Sequence, residues 1–175
     1  MELYAERGYE STTVAEIAER AGLTERTFFR YFSDKREVLF YGSAALSEFL
    51  VGHVEGAPAA LSPIEAIVSA LVAAAEGIFA ERYQFARRRQ AIIAANGDLQ
   101  ERELIKLARL AAALAEALRQ RGVAGTTASL AAEAGISVFK VSFERWVGGD
   151  GSGDQTLAKI LRESADELRA VTAGI

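Results

Sequence analysis

Two short helical patterns joined by a glycine turn lie between residues 12 and 35, and they constrain the fold of this chain more than any other feature. The first pattern repeats apolar residues at the spacing of one buried helical stripe, namely Val14, Ile17, Ala18 and Ala21. We expect this helix to start near Thr13, with Ser11 or Thr12 as its cap, and to stop at Gly22. Thr24 is a good cap for a second helix of about two turns.

The second helix has one face suited to a core. Phe28 and Phe32 are four residues apart, so they share a face of the helix. We expect them to form a small core with Leu23 and Ile17. Two short helices around such a core, joined through a glycine turn, form the helix-turn-helix, whose second helix enters the major groove of DNA.

The other face of the second helix presents Arg26, Phe29 and Arg30 to solvent. An arginine there can pair with O6 and N7 of a guanine, and Phe29 can pack on a thymine methyl group. Lys35 falls in the first turn of the next helix, where the helix dipole disfavours a cation unless a phosphate is bound beside it. Spacing alone leaves open an ordinary helical hairpin with solvated arginines.

Composition excludes several kinds of chemistry. The 175 residues include no cysteine, which excludes a thiolate site. The single histidine, His53, excludes a multi-histidine metal site and more than one Ser-His-Asp triad. Net charge is −4, yet residues 24–36 carry four basic side chains against two acidic ones. The sequence thus predicts a small basic surface on an acidic body, which would bind DNA only where that surface fits.

The rest of the chain also favours helix, because alanine and leucine dominate, only two prolines occur and no strand-like alternation is present. "GHVEGAPAALSP" (52–63) is a loop, and Ser62, Pro63 and Glu65 form a capping-box start for the helix after it. The predicted helices cover residues 2–7, 13–21, 24–32, 34–52, 63–81, 84–95, 98–121, 126–147 and 155–172. We therefore predict an all-α fold of about nine helices, with "GGDGSGD" (148–154) as a flexible linker.

The segment "AERGYESTTVAEIAERAGLTERTFFRYFSDKREVLF" (5–40) resembles the amino-terminal domain of the TetR family of bacterial regulators. The resemblance extends over about 35 contiguous residues, including the "FRYF.DK" end. It implies a three-helix DNA-binding domain at 1–40 and a helical ligand-binding and dimerisation domain at 41–175. It also implies a homodimer that binds a palindromic double-stranded DNA operator and is released by a small molecule.

The same resemblance assigns groove and backbone contacts to eight residues: Thr13, Glu25, Arg26, Thr27, Phe29, Arg30, Tyr31 and Lys35. Phe29 departs from the family, which usually has a tyrosine there whose hydroxyl reaches a phosphate. Tyr31 is the candidate to supply that hydroxyl instead. The family's first helix also usually starts a few turns before the position of Met1, so we expect a longer chain to bind DNA more tightly.

The carboxy-terminal half is similar to the TetR subgroup with acyl-CoA-like or MftR-type ligand domains. Its candidate ligand-binding residues are Phe79, Phe85, Arg88, Ile92, Phe139 and Phe143, with Tyr83 and Trp146 nearby in the pattern. Aromatic residues at helical spacing also suit an ordinary core, and Arg88 or Arg89 is either an anion anchor or a solvated side chain. The supply of aromatics and arginines favours a hydrophobic effector with an anionic end.

Two other classes of protein compete with this interpretation. The chain lacks the catalytic groups that an enzyme would need. The second alternative, a helical protein-interaction domain without DNA binding, leaves the Arg26, Phe29 and Arg30 face unexplained. We expect a cytoplasmic protein, since no export signal or membrane span is seen, with no cofactor and no metal.

Overall fold

The computed structural model describes residues 1–149 and 155–173, which form helices and connecting turns without a strand among them. The nine α-helices in this part of the chain are α1 (Glu2–Arg7), α2 (Val14–Arg20), α3 (Glu25–Tyr31), α4 (Ser43–Glu55), α5 (Pro63–Gly77), α6 (Tyr83–Ala94), α7 (Gly97–Gln120), α8 (Gly125–Gly148) and α9 (Leu157–Thr172). The predicted all-α fold is confirmed. Most of the predicted linker, residues 150–154, lies outside the described residues.

The chain divides into two compact units. The amino-terminal unit contains Met1–Ser43 and Gln84–Leu104, and the carboxy-terminal unit contains Ala44–Tyr83 and Ile105–Ile175. The division proposed from the sequence placed residues 84–104 with the body, whereas here they group with the helix-turn-helix. The unit that contains α2 and α3 is therefore built from two separate segments of the sequence.

The predicted fourth helix is interrupted. Asp34 caps a short 3₁₀ turn, Lys35–Val38, and α4 begins only at Ser43. Between them Gly42 has φ of 92°, a left-handed conformation that glycine adopts without penalty and that a continuous helix cannot contain. The predicted single helix over residues 34–52 is therefore two elements, the 3₁₀ turn and α4.

The core of the amino-terminal unit is aromatic and aliphatic. Its buried members are Tyr4, Tyr9, Leu39, Phe40, Ile93 and Leu99, with Met1, Ile17 and Ile92 packed against them. Residues from α1, the 3₁₀ region, α6 and α7 thus share one cluster. The helix-turn-helix contacts this core through Ile17 of α2, and no residue of α3 is among the members named here.

The carboxy-terminal unit is built on the mutual packing of α5, α8 and α9. The capping box predicted for α5 is present, with the Ser62 hydroxyl and the Glu65 carboxylate satisfying each other's backbone N–H groups. Gly135 lies at the contact between α8 and α5, opposite Ile67. The helix predicted over residues 126–147 is present as the single long helix α8. None of the described helices is long and apolar enough to span a membrane.

Candidate nucleic-acid interface

The two short helices start at threonine caps. The hydroxyl of Thr13 accepts from the backbone N–H of Glu16, and the Glu16 carboxylate accepts from the Thr13 N–H at 2.8 Å, completing a capping box. The predicted cap was Ser11 or Thr12, but Thr12 is buried and its hydroxyl donates to the Gly8 main-chain oxygen at 2.8 Å. Thr24 caps α3 as predicted. Both helices are therefore fixed at their first turn by local bonds.

A glycine makes the turn between α2 and α3. Gly22 has φ of 67°, and a side chain at that φ would be strained. Leu23 was expected in the core, but 46% of it is exposed, so that expectation is wrong. Ala18 is the fully buried residue of the α2 stripe, while Val14 and Ile17 are half-buried and Ala21 is exposed.

The two faces of α3 are as the sequence predicted. Phe28 is 3% exposed and its ring centroid lies 5.1 Å from that of Phe32. On the other face Arg26 and Arg30 are exposed and Phe29 is 54% exposed, with its ring edge-on to Phe28. The aromatic contact holds an exposed apolar ring at a fixed position, which is useful for packing against a methyl group in a groove.

Arg30 is held by its neighbour. Its Nη2 donates to the Tyr31 hydroxyl at 3.1 Å, and its guanidinium carbon lies 4.9 Å from the centre of the Tyr31 ring. Tyr31 is 66% exposed, and its hydroxyl hydrogen is still available to donate. The pair can therefore offer a guanidinium and a phenol hydroxyl side by side.

Glu25 and Thr27 complete the predicted set on α3. Glu25 is the exposed first residue of the helix, where its negative charge suits the helix dipole. Thr27 is half-buried, and its hydroxyl lies 3.1 Å from that of Thr24. The structure therefore brings Glu25, Arg26, Thr27, Phe29, Arg30 and Tyr31 together on one helix, with Thr13 at the start of the other.

Lys35 is placed differently from its predicted role. Its ammonium donates to the main-chain oxygens of Tyr9, Glu10 and Thr12, at 2.9, 3.2 and 3.0 Å. These three bonds use all three N–H groups of a lysine. The phosphate contact expected for Lys35 would have to replace at least one of them.

Several residues support the interface in ways that the sequence did not predict. The Tyr4 hydroxyl donates to the Lys35 main-chain oxygen at 2.6 Å, and burial raises the pKa of this phenol. Arg89 of α6 donates to the Leu39 main-chain oxygen at 2.8 Å and pairs with Glu103 at 3.0 Å. The sequence suggested that Arg89 is either an anion anchor or a solvated side chain, whereas its partners are Leu39 and Glu103, from distant parts of the chain.

Carboxylates of this unit are stabilised in their charged form. The hydrogen bond from Arg36 to the Asp34 side chain holds the pKa of that carboxyl below its ordinary value. At the start of α2, the backbone and side-chain bonds of Thr13 lower the pKa of Glu16. Among the described residues no group of three or more His, Asp or Glu side chains could hold a metal ion.

The candidate ligand-binding residues fall into two groups. Phe79, Phe139 and Phe143 meet in the carboxy-terminal unit, with ring centroids 5.6 to 6.3 Å apart. Tyr83 and Trp146 join that cluster, and the Tyr83 hydroxyl donates to the Gly149 main-chain oxygen at 2.6 Å.

The other three candidates belong to the amino-terminal unit. Ile92 is half-buried and packs against the core that contains Tyr4 and Tyr9. Phe85 is 50% exposed and Arg88 is exposed on the same helix. An open depression of about 420 Å³ at residues 76–82 is lined mainly by small and charged residues, which does not suit an apolar ligand.

Two family models match the chain. Residues 1–41 match bacterial regulatory proteins of the tetR family, and residues 61–173 match the MftR C-terminal domain. Among curated proteins, the HTH-type transcriptional regulator TcmR of Streptomyces glaucescens is 40% identical over 70 residues. That alignment covers 40% of this chain and 31% of TcmR, so the chain matches about a third of its relative's length.

Two solved structures from Thermus thermophilus are similar over nearly the whole chain. One is the TetR family transcriptional regulator PfmR, 24% identical, with a TM-score of 0.50 and coverage of 94% of this chain and 91% of that one. The other is FadR, a TetR family transcriptional repressor in complex with lauroyl-CoA. It is 25% identical, with a TM-score of 0.54 and coverage of 96% and 88%.

Proposed function

Because this chain belongs to the TetR family of bacterial regulatory proteins, we propose that it represses transcription by binding a palindromic operator as a homodimer. A small molecule then releases it. The observation that supports DNA binding most strongly is α3, a helix whose Phe28 side is buried while its Arg26, Phe29 and Arg30 side is open. A protein of this kind acts in the cytoplasm, where the operator lies.

The residue roles follow from chemistry and exposure. Arg26 and Arg30 read base edges, since a guanidinium can bond two acceptors of guanine at once. Phe29 packs on a thymine methyl group, and Tyr31 donates its hydroxyl to a phosphate while holding Arg30. The remaining predicted contacts, Thr13, Glu25 and Thr27, lie at or near the starts of α2 and α3, and their polar side chains are assigned to the groove or to the DNA backbone.

Dimerisation is assigned to α8 and α9. Leu130 and Val141 are 67% and 56% exposed on α8, an unusual position for large apolar side chains along one helix. A two-fold contact between these helices would place two copies of α3 on two half-sites, about one DNA turn apart. Two short recognition helices together would bind far more tightly than one.

The effector is assigned to the aromatic cluster of Phe79, Phe139 and Phe143 in the carboxy-terminal unit. All three rings are half-buried, so a ligand can reach them. The similarity to FadR, whose structure holds lauroyl-CoA, favours a hydrophobic chain with an anionic end as the chemical class. An effector of this class lowers operator affinity only if it binds a DNA-incompetent arrangement better.

The DNA-binding proposal is tested by selecting bound sequences from a random duplex pool. We expect enrichment of a two-fold motif by the parent chain and by an Arg109→Ala control, which removes an exposed arginine of α7. The double variant Arg26→Ala/Arg30→Ala is expected to enrich nothing. A parent chain that selects no sequence would favour the alternative, a helical protein-interaction domain.

The effector proposal is tested with lauroyl-CoA on the selected operator. We expect lauroyl-CoA to raise the apparent Kd of the parent for DNA, and Phe143→Ala to reduce that response while leaving ligand-free DNA binding intact. Trp146 lies 5.7 Å from Phe143, so its fluorescence reports on the site directly. Unchanged fluorescence and unchanged operator affinity at saturating lauroyl-CoA would exclude this class of ligand.

A further inference from the structure

The Lys35 side chain makes all of its hydrogen bonds to main-chain oxygens inside the amino-terminal unit. Its half-buried ammonium is bonded to three main-chain oxygens and lies 4.4 Å from the centre of the Tyr9 ring. The three oxygens belong to one short turn, residues 9–12. Three carbonyl dipoles that point at a single spot repel one another unless a positive charge lies between them. The conformation of this turn therefore depends on the lysine.

The turn is also held from its other side. The Tyr4 hydroxyl donates to the main-chain oxygen of Lys35, and the Tyr4 and Tyr9 rings meet edge to face at 5.3 Å. Gly8 opens the turn with φ of 83°, and the buried Thr12 hydroxyl donates back to the Gly8 oxygen. The next residue along the chain is Thr13, the cap of α2.

We propose that Lys35 is a positioning residue for DNA binding, acting through the 9–12 turn and the α2 start rather than by touching a phosphate. This inference rests on the proposed function. The ammonium fixes where the capped first turn of α2 begins, and α2 packs against α3, the helix that presents Arg26 and Arg30. The three N–H groups of the Lys35 ammonium are already hydrogen-bonded to main-chain oxygens before DNA binds.

The salt dependence of DNA binding separates the two roles. Each lost phosphate contact reduces the slope of log K against log salt concentration by about 0.9. We expect Lys35→Met to lower the Tm of the DNA-free protein and to weaken operator binding about tenfold, with the parental slope. Arg109→Met, which removes an exposed cation of α7 outside the predicted dimer contact, is the control and should match the parent in all three measurements.

Three results would overturn the proposal. They are a slope shallower by about 0.9 in Lys35→Met, an unchanged Tm in that variant, or a lowered Tm with parental operator affinity. The shallower slope would show that Lys35 contacts a phosphate. The unchanged Tm would show that Lys35 does not stabilise the turn, and the lowered Tm with parental affinity would show that the turn does not affect DNA binding.

A second measurement uses the unmodified chain, so it does not depend on a variant that folds. The sequence has four lysines, whose ammonium groups can be followed by proton–nitrogen correlation spectra. We expect the Lys35 ammonium to exchange slowly with water in the free protein and to keep its chemical shift when operator is added. Exchange as fast as that of Lys140, or a large shift on adding operator, would contradict the proposal. A protected ammonium in a chain that binds no DNA would overturn the proposed function instead.

Discussion

A β-carbon built on Gly135 of α8 would lie 2.5 Å from Cγ2 of Ile67 on α5. That distance is far below a carbon–carbon contact, so α5 and α8 approach each other as closely as they do only because residue 135 has no side chain. The contact lies in the carboxy-terminal unit, where both residues are buried.

Gly135→Ala is therefore expected to destabilise the protein by roughly 1–3 kcal/mol, the usual cost of overpacking a core. Gly52→Ala is the matched control, because Gly52 is an exposed helical glycine of α4 with open space around it. That change should stabilise the chain by roughly 0.5–1 kcal/mol through helix propensity. Chemical denaturation measures both. If Gly135→Ala proved as harmless as Gly52→Ala, the close approach of α5 and α8 would be wrong.

Arg30→Ala should cost about 1–3 kcal/mol in operator affinity, with lost discrimination at one base pair of each half-site. Tyr31→Phe removes the hydroxyl that accepts from Arg30 but keeps the ring, so we expect a smaller loss of about 0.5–1.5 kcal/mol. Fluorescence anisotropy on single-base operator variants measures both effects. Full discrimination by Arg30→Ala would show that this arginine does not read a base.

Val141 and Val138 of α8 offer a paired test of the dimer. Val141 is 56% exposed, whereas Val138 is 4% exposed inside its own unit. We expect Val141→Glu to give a folded monomer, because the charge falls in the predicted contact between copies. Val138→Glu should unfold the protein, since it buries a charge without a partner. Sedimentation and circular dichroism distinguish the outcomes, and a parent that sediments as a monomer at micromolar concentration would remove the dimer.

Asp34 gives a pH dependence with a definite sign. Its folded pKa is lowered, so the folded state binds fewer protons than the unfolded state and gains stability as the pH rises. This contribution is complete above the ordinary carboxyl range and is lost as the pH falls through the folded pKa. Asp34→Asn should therefore be less stable than the parent at about pH 7, by about 0.5–1 kcal/mol for a partly exposed ion pair, and this difference should shrink as the pH falls through the lowered pKa of Asp34.

Thermal melts of the two proteins across that range measure the difference. Glu16 titrates in both chains, so its own depressed pKa cancels in the comparison. A difference between the melts that stays constant down to about pH 3 would show that the charge of Asp34 does not contribute.

Features encoded within one turn of helix were predictable from the sequence. Thr24 and the Ser62–Glu65 capping box were identified because caps depend on residues two or three positions apart. The two faces of α3 were identified because helical spacing separates Phe28 from Arg26 and Arg30. The cap of α2 was predicted one or two residues too early, because three hydroxyl residues stand in a row and tertiary packing buries Thr12.

Features that depend on distant residues were not predictable. The partners of Lys35 lie 23 to 26 residues away and are main-chain oxygens, which every residue has. Nothing local marks them. The grouping of residues 84–104 with the amino-terminal unit rests on packing by Ile93 and Leu99. The break at residues 39–42 follows from the left-handed conformation of Gly42, for which a lone glycine in a helical pattern is only a weak signal.

The core of the amino-terminal unit has consequences for the order in which the protein is made. Tyr4 and Phe40 leave the ribosome well before Ile93 and Leu99, the residues that complete their cluster. The core residues of the first 40 positions therefore stay uncovered on the nascent chain until about a hundred residues have been synthesised. Exchange of DNA-binding units between such regulators would likewise have to carry residues 84–104 along with residues 1–43, because the shorter piece leaves Ile93 and Leu99 of its core behind.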